Sequence, residues 1–211
     1  MTERDAEAAG GDGWPVALRG VTETVVATLG PNGEWNQAAL GVRAPEPEGE
    51  PATAAESEPA TATTFGNTRT RRNFHREGEG FVQFVDDPVA FADAALAVRE
   101  TSDPVLDAAT AWARVDVEQA GSEDEDGTRL EHWELRPVDS EVVREAPQSV
   151  NRGFYAVVEA TVAASRLDVD AYDAGTLRDR LRYFEDVART CGGDREREAV
   201  ERVREHAGGE W

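Results

Sequence analysis

The chain has 211 residues, a formal net charge of −21 and 39% hydrophobic residues, which suits one large domain or one domain with a helical appendage. Its 43 acidic residues outnumber 22 basic ones, all arginine, and this balance argues against nucleic acid or an anionic membrane as the main partner. An acidic surface without lysine is typical of proteins that stay soluble where salt screens repulsion, so we expect a salt-loving host.

Cysteine content and hydropathy bear on the compartment. Cys191 is the single cysteine, so no internal disulfide can form, and no apolar run reaches the length of a membrane span or resembles a signal peptide. These features predict a cytoplasmic protein. Cys191 lies in a helical pattern, where we expect a small buried or half-buried residue rather than a nucleophile.

The chain opens with an acidic segment and a predicted hairpin. Residues 1–13 are rich in Gly, Ala and acid, and we expect them to be disordered. Residues 23–29 (ETVVATL) and 35–42 (WNQAALGV) flank a GPNG turn and predict two antiparallel strands. The small residues of the second strand allow either close packing in a barrel or the approach of a flat ligand.

Two acidic stretches lack the pattern of a packed element. Residues 44–61 contain Pro, Glu, Ala, Thr and Ser without bulky apolar side chains, and predict a long solvated loop between two strands. Residues 121–127 (GSEDEDG) predict an acidic turn. Their spacing differs from that of a calcium-binding EF-hand loop, so we predict no metal site.

Residues 63–74 (TTFGNTRTRRNF) form the most distinctive stretch. A strand over 61–66 is followed by a short helix over 68–76, and four arginines fall within eight residues: Arg69, Arg71, Arg72 and Arg76. Unpaired N–H groups at a helix start favour an anion, and hydroxyl and guanidinium groups add donors. We therefore hypothesise that this stretch holds a cofactor phosphate. The alternative is that the arginines pair with carboxylates and that Asn67 or Thr68 is an ordinary helix cap.

The remaining segments predict more strands and then helices. Strands are predicted at 80–85, 110–119, 130–136 and 138–144, with Pro137 at a bend or edge. Asp86-Asp87-Pro88 starts a helix, with Asp as its cap and Pro at the first helical position. Apolar stripes over 154–167, 174–191 and 194–207 predict helices that pack on one another. We expect a β-rich domain over 14–146 and a C-terminal helical subdomain over 147–211.

The order of these segments resembles an archaeal family known as domain of unknown function 447. The resemblance rests on the hairpin ETVVATL–WNQAALGV, the strand entering TTFGNTRTRRNF, and the later GFVQFV, DDPVAFADAAL and NRGFYAVVEATVAASRL. It covers nearly the whole chain except the acidic start and residues 44–61. It implies an α+β fold: a six-stranded Greek-key split β-barrel of the FMN-binding, flavin reductase-like type, followed by helices. It also implies a homodimer with FMN at the subunit interface.

The resemblance also implies site residues. The segment that matches the phosphate-binding stretch supplies these candidates: Thr64, Asn67, Thr68, Thr70, Arg71 and Asn73. The second hairpin strand would lie along the isoalloxazine ring, with Asn36, Gln37 and Ala38 as candidates and Thr24 as a helper. Arg152 would reach the cofactor or substrate, and its alternative is a structural cap or ion pair. Trp35 or Phe65 would cover a ring face, or belong to the core.

These expectations define two classes of function. The first is an FMN-binding protein that acts as a flavin-dependent oxidoreductase on a small-molecule substrate, with the chemistry supplied by the cofactor. The second is a non-enzymatic dimeric module for small-molecule binding or assembly. The sequence offers no dedicated acid, base or nucleophile, and we expect its three histidines, His75, His132 and His206, at the surface.

Overall fold

The computed structural model describes residues 13–45, 59–125, 127–145, 150–209 and 211. The predicted disordered start and most of the predicted acidic loop at 44–61 lie outside these residues. The elements in chain order are β1 (Val21–Leu29), β2 (Trp35–Arg43), β3 (Ala60–Phe65), α1 (Arg69–Glu77), β4 (Glu79–Val85), α2 (Pro88–Leu96), β5 (Arg99–Thr101), β6 (Ala109–Glu125), β7 (Thr128–Val142), α3 (Arg152–Ala164), α4 (Ala174–Cys191) and α5 (Asp194–His206).

Six strands close into an antiparallel barrel. Hydrogen bonds connect them in the order β1-β4-β6-β7-β3-β2, and β2 returns to β1. Alternate residues of each strand point inward, and the interior holds fully buried side chains such as Val26, Val82, Trp133 and Leu135. This closed barrel, followed by helices, confirms the predicted fold class.

The edges of β2 leave a gap in the barrel wall. β2 pairs with β1 along its whole length, but on its other edge β5 pairs only with residues 35–37 and β3 only with residues 42–43. Residues 38–41 have no strand partner on that edge anywhere in the described part of the chain. β2 and β3 therefore diverge, and unpaired backbone groups border the split between them.

Helices cover the barrel in two places. α1 packs against β1, β2, β4 and β6. It buries Phe74 edge-on against Trp133, with ring centroids 5.2 Å apart. α3, α4 and α5 form a second apolar core that includes Val157, Leu181 and Val203, and α2 connects this core to the barrel. The first helix thus seals one end of the barrel, while α2 and α3 pack on its outer surface and α4 and α5 pack on these helices.

The β6–β7 hairpin is longer than the sequence predicts. Residues 121–125 continue β6, so the prediction of a turn over 121–127 is wrong. Cross-strand pairing with β7 extends through this stretch after a bulge at Ala120, and Asp124 accepts a hydrogen bond from Arg129 at 2.9 Å. The two strands predicted on either side of Pro137 form one strand, β7, and the register skips the residue after Pro137, Val138, which agrees with the predicted bend.

The structure differs from the sequence predictions at two further places, β5 and Cys191. β5 was not predicted because three residues, Arg99–Thr101, carry no alternation that marks a strand. α4 begins and ends where the sequence predicts, but Cys191 is exposed, so the prediction that it is buried or half-buried is wrong. The buried stripe of α4 ends at Ala188, one turn earlier.

Candidate functional site

Helix α1 begins with the features of an anion site. Thr68 is its N-cap, and the Thr68 hydroxyl accepts a hydrogen bond from the backbone N–H of Arg71 at 3.1 Å. The first turn contains Arg69, Arg71 and Arg72 and no acidic residue. The helix macrodipole disfavours positive charge at this end, so a nearby anion would stabilise this turn.

Most of the arginines already have carboxylate partners. Three of these arginines form ion pairs: Arg69–Glu100 at 2.5 Å, Arg71–Glu131 at 2.6 Å and Arg76–Glu77 at 2.5 Å. Arg72 instead donates to the Asn67 carbonyl at 2.8 Å and to its side-chain oxygen at 3.1 Å. The alternative from the sequence, pairing with carboxylates, therefore describes three of the four arginines. Arginine charge by itself does not identify a phosphate site here.

Glu131 is a member of this cluster that sequence reasoning missed. It lies on β7 and is 2% exposed. Its Oε1 accepts from Arg71 Nη2 at 2.6 Å, and its Oε2 lies 2.6 Å from His75 Nε2. The hydrogen bond from Arg71, with a further contribution from His75, lowers the pKa of the Glu131 carboxyl below its ordinary value. The signal in the sequence was the alternation of β7, which puts Glu131 on the inward face with Trp133.

Arg71 retains a donor without a partner. Its Nε is buried and has no hydrogen-bond acceptor among the described residues. A buried N–H left unpaired costs roughly 1–3 kcal/mol, so such groups in native proteins usually face an acceptor. The bond to Glu131 occupies Nη2 only, and the guanidinium can still donate from its other nitrogens.

Asn73 fastens α1 to the end of the barrel. Its Nδ2 donates to the Thr28 hydroxyl at 2.9 Å, and its Oδ1 accepts from Arg76 Nη2 at 3.0 Å. Asn73 is 3% exposed and Thr28 is fully buried. The Asn73 side chain therefore holds α1 in place. Its amide nitrogen and oxygen both have hydrogen-bond partners within the protein.

Asn36 and Thr70 are buried polar residues without such partners. Each is 5% exposed, and neither the Asn36 amide nor the Thr70 hydroxyl forms a side-chain hydrogen bond within the described part of the chain. Asn36 lies opposite Thr28 in the strand register, and Thr70 precedes Asn73 by one helical turn. Both residues therefore belong to the barrel end that α1 seals. Only the Nε atoms of Arg71 and Arg204 are fully buried without a partner among the described residues, so the polar atoms of Asn36 and Thr70 keep a small accessible surface and are open to a bound ligand.

Gln37 points to the opposite face of β2. Its Nε2 donates to the Thr101 hydroxyl at 2.9 Å and to the Pro104 carbonyl at 3.0 Å. Its Oε1 accepts from Gln83 Nε2 at 2.8 Å. This buried network connects β5 and the loop after it to the outside of the barrel. Both polar atoms of the Gln37 side chain therefore already have partners within the protein.

Thr24, Thr64 and Ala38 also make contacts within the protein. The Thr24 hydroxyl donates to the Leu40 carbonyl at 2.7 Å, and the Thr64 hydroxyl accepts from Trp133 Nε1 at 2.9 Å. Ala38 packs against the barrel core, which favours close packing as the reason for its small size. Its backbone, however, lies in the unpaired stretch of β2.

Arg152 is not brought to this site. It is the exposed first residue of α3, and α3 packs on α2, α4 and α5, whereas α1 packs on barrel strands. Its neighbours have structural roles: Asn151 caps α3, and Asn151 Nδ2 donates to Glu196 Oε1 on α5 at 2.7 Å. Within the described residues, the Arg152 side chain has no hydrogen bond or ion pair.

The two candidate aromatic residues differ in exposure. Trp35 is half-buried and packs edge-on against Phe81 with ring centroids 5.3 Å apart. Phe65 is 61% exposed at the end of β3, directly before the turn at Gly66. Phe65 is therefore outside the core and lies beside the start of α1.

A cavity of about 970 Å³ lies where α2, β5 and α5 meet, and none of the candidate site residues lines it. Carboxylates such as Asp86 and Asp93 line it, and Arg144 pairs with Asp86 at 2.6 Å. In the described ranges, no group of three or more His, Cys, Asp or Glu residues has an arrangement that could hold a metal ion. None of the described helices is long and apolar enough to cross a membrane.

Comparisons with known proteins place this geometry in a family. The model for the N-terminal domain of the protein family of unknown function DUF447 matches residues 22–144, and the second DUF447 model matches residues 151–205. An FMN-bound DUF447 protein from Methanosarcina mazei has 25% identity and a TM-score of 0.69, over 89% of this chain and 95% of that one. The flavin reductase of styrene monooxygenase from Pseudomonas putida S12 has 12% identity and a TM-score of 0.38, over 58% and 79%.

The two family models together match the barrel and the C-terminal helices, with a short break between residues 144 and 151. The sequence predicted this resemblance from the order of its segments, and the match over more than half of the chain confirms it. The chain belongs to the DUF447 family.

Proposed function

We propose that this protein binds FMN in the split between β2 and β3, with the phosphate at the start of α1. The observation that carries the proposal is the pair of buried, unpartnered polar side chains, Asn36 and Thr70, beside a helix start rich in cations. The FMN bound to the Methanosarcina mazei relative, which is similar over nearly its whole length, supports the choice of ligand.

The first turn of α1 suits a phosphate group. Thr70 offers a hydroxyl without a partner, Arg71 offers its Nε, and the first turn of the helix adds unpaired backbone N–H groups. Phosphate accepts several hydrogen bonds and carries the negative charge that this turn lacks. In our proposal Thr68 shapes the turn as its cap, and Asn73 anchors the helix.

The unpaired edge of β2 suits the ring of the cofactor. Residues 38–41 have no strand partner on the edge between β5 and β3, although the Leu40 carbonyl already accepts from the Thr24 hydroxyl, and Asn36 lies two residues before this gap. The polar edge of an isoalloxazine needs such partners. Bound FMN would supply electron-transfer chemistry, while the chain binds and orients it. We therefore propose a flavin-dependent oxidoreductase rather than a non-enzymatic module.

A Thr70→Val substitution tests the phosphate position. Valine keeps the shape of threonine but removes the hydroxyl, and a hydrogen bond to a charged group contributes about 1.5–3 kcal/mol. We expect the Kd for FMN to rise at least about tenfold. Flavin fluorescence quenching in molar KCl would measure it, with riboflavin, which lacks the phosphate, as a second ligand.

Thr110→Val is the matched control, because the Thr110 hydroxyl donates to the Phe84 carbonyl at 2.9 Å and does not contact α1. We expect this variant to bind FMN like the wild type. If the wild-type protein purifies colourless and takes up no FMN, the proposed function is wrong and the non-enzymatic module becomes the better interpretation. If Thr70→Val leaves the Kd unchanged, the phosphate does not lie at Thr70.

We also propose that two copies of the barrel pair at this site. Phe65 exposes 61% of its surface next to α1, and a second subunit would cover both it and the open split. Light scattering of the FMN-loaded protein in molar KCl should give the mass of two chains. Replacement of Phe65 by Glu should shift that mass toward one chain. A single-chain mass for the loaded wild type would contradict the pairing.

A further inference from the structure

Glu131 occupies an unusual place for a carboxylate in so acidic a chain. Most acidic side chains lie in solvent, but this one is buried beneath α1 on the inward face of β7. A buried carboxylate is costly unless cations and hydrogen bonds compensate it. Here both oxygens are used, one by Arg71 and the other by His75 from the next turn of the same helix.

The geometry limits how Arg71 can move. Its Nη2 lies 2.6 Å from Glu131 Oε1, while its Nε is buried without an acceptor in the described part of the chain. A free arginine side chain carries about 2 kcal/mol of rotamer entropy, which a binding event must otherwise overcome. A fixed guanidinium with unused N–H groups is therefore prepared to accept an anion at lower cost.

We infer that Glu131 is a positioning residue: it holds the Arg71 guanidinium so that its unused N–H groups face the ligand phosphate. This inference rests on the proposed FMN site and adds to it a residue that itself does not contact the ligand. Glu131 opposes the phosphate by charge, but it pairs with Nη2, and the Nε–H has no acceptor among the described residues. The positional effect outweighs the repulsion because Arg71 and His75 both compensate the carboxylate.

The surroundings of Glu131 contain one further cation. Arg129 of β7 has its Nε 3.9 Å from Glu131 Oε1, but its Nη1 pairs with Asp124 at 2.9 Å. Arg71 is thus the short-range partner of Oε1. The ring of His75 also packs on Trp133 with centroids 4.9 Å apart, which keeps the other side of the carboxylate in place.

Two substitutions separate position from charge. Glu131→Gln removes the charge, and Glu131→Asp keeps it but withdraws the carboxylate from Arg71 by one methylene group. We expect both to raise the Kd for FMN about tenfold, because Gln offers Arg71 only a neutral acceptor and Asp no longer reaches it, so that the guanidinium is less firmly held. The Kd for riboflavin should stay within about twofold of the wild type, since riboflavin has no phosphate for Arg71 to contact. A general loss of structure would raise the Kd for both ligands to a similar extent.

A double-mutant cycle with Arg71→Gln tests whether Glu131 acts through Arg71. In the Arg71→Gln background we expect Glu131→Asp to cause no further loss of FMN affinity. Glu77→Gln is the matched control: it makes the same chemical change on α1, and its partner is Arg76 rather than Arg71. We expect this control to bind FMN like the wild type.

The outcomes distinguish this inference from the proposed function. If the wild type binds FMN but both Glu131 variants bind it equally well or more tightly, Glu131 does not position Arg71. If the affinities for riboflavin and FMN fall in parallel, the role of Glu131 is structural and the inference is overturned. If the wild type binds neither flavin, the proposed function itself fails. Thermal unfolding in molar KCl would establish that each variant is folded, and Glu131→Asp alone suffices if Glu131→Gln does not fold.

Discussion

Trp133→Ala should lower the free energy of unfolding by about 3–5 kcal/mol, the range for removal of a large aromatic side chain from a packed core. Trp133 is 1% exposed, packs on Phe74 and His75, and donates its indole N–H to the Thr64 hydroxyl at 2.9 Å. Its removal leaves a cavity directly under α1. Urea unfolding at constant KCl measures the effect without changing the ionic strength.

Trp112→Ala is the control for this prediction. Trp112 lies on the outer face of β6, is half-buried and packs on Phe81 with centroids 5.5 Å apart. We expect it to cost about 1–2 kcal/mol, because less area leaves contact with the protein. Trp133→Ala should also weaken FMN binding in the folded fraction, since α1 loses the surface on which it rests. Equal losses of stability for the two variants would contradict the assignment of Trp133 as the support of the site.

Gly153→Ala should lower the free energy of unfolding by about 3 kcal/mol, the upper range for overpacking. A Cβ at this position would lie 2.5 Å from the Gly192 Cα and 2.7 Å from the Gly192 N. Gly192 cannot easily retreat, because its N–H donates to the Ala188 carbonyl at 2.9 Å. The added methyl group therefore forces α3 away from the turn between α4 and α5.

Gly175→Ala is the matched control, since it also places alanine in the first turn of a helix. The added Cβ would meet only Asp173 Oδ1, at 3.4 Å, so we expect a gain of about 0.4–1 kcal/mol from reduced chain entropy. Both variants should keep the wild-type Kd for FMN, because neither glycine lies near α1. Loss of FMN affinity in folded Gly153→Ala would instead support the prediction that Arg152 reaches the cofactor.

The sequence determined most elements of this protein because their signals are local. Alternation marked the strands, and turn residues marked the hairpin. Caps marked helix starts, as at Thr68 and Asp87, where a short polar side chain satisfies N–H groups of the first turn. The acidic net charge is likewise a property of the sequence alone. Composition was a less reliable guide to local structure, because the pairing of β6 with β7 extends through an acidic stretch that was predicted as a turn.

The tertiary structure decided which polar groups are available to a ligand. From sequence, Arg71 and Asn73 were equivalent donors, yet Asn73 is satisfied by Thr28 and Arg76, while Arg71 keeps a free Nε. The same holds for Asn36 and Gln37, adjacent residues on opposite faces of β2. A hydrogen-bonding group is free or occupied according to partners distant in the chain, and only the closed barrel brings those partners together.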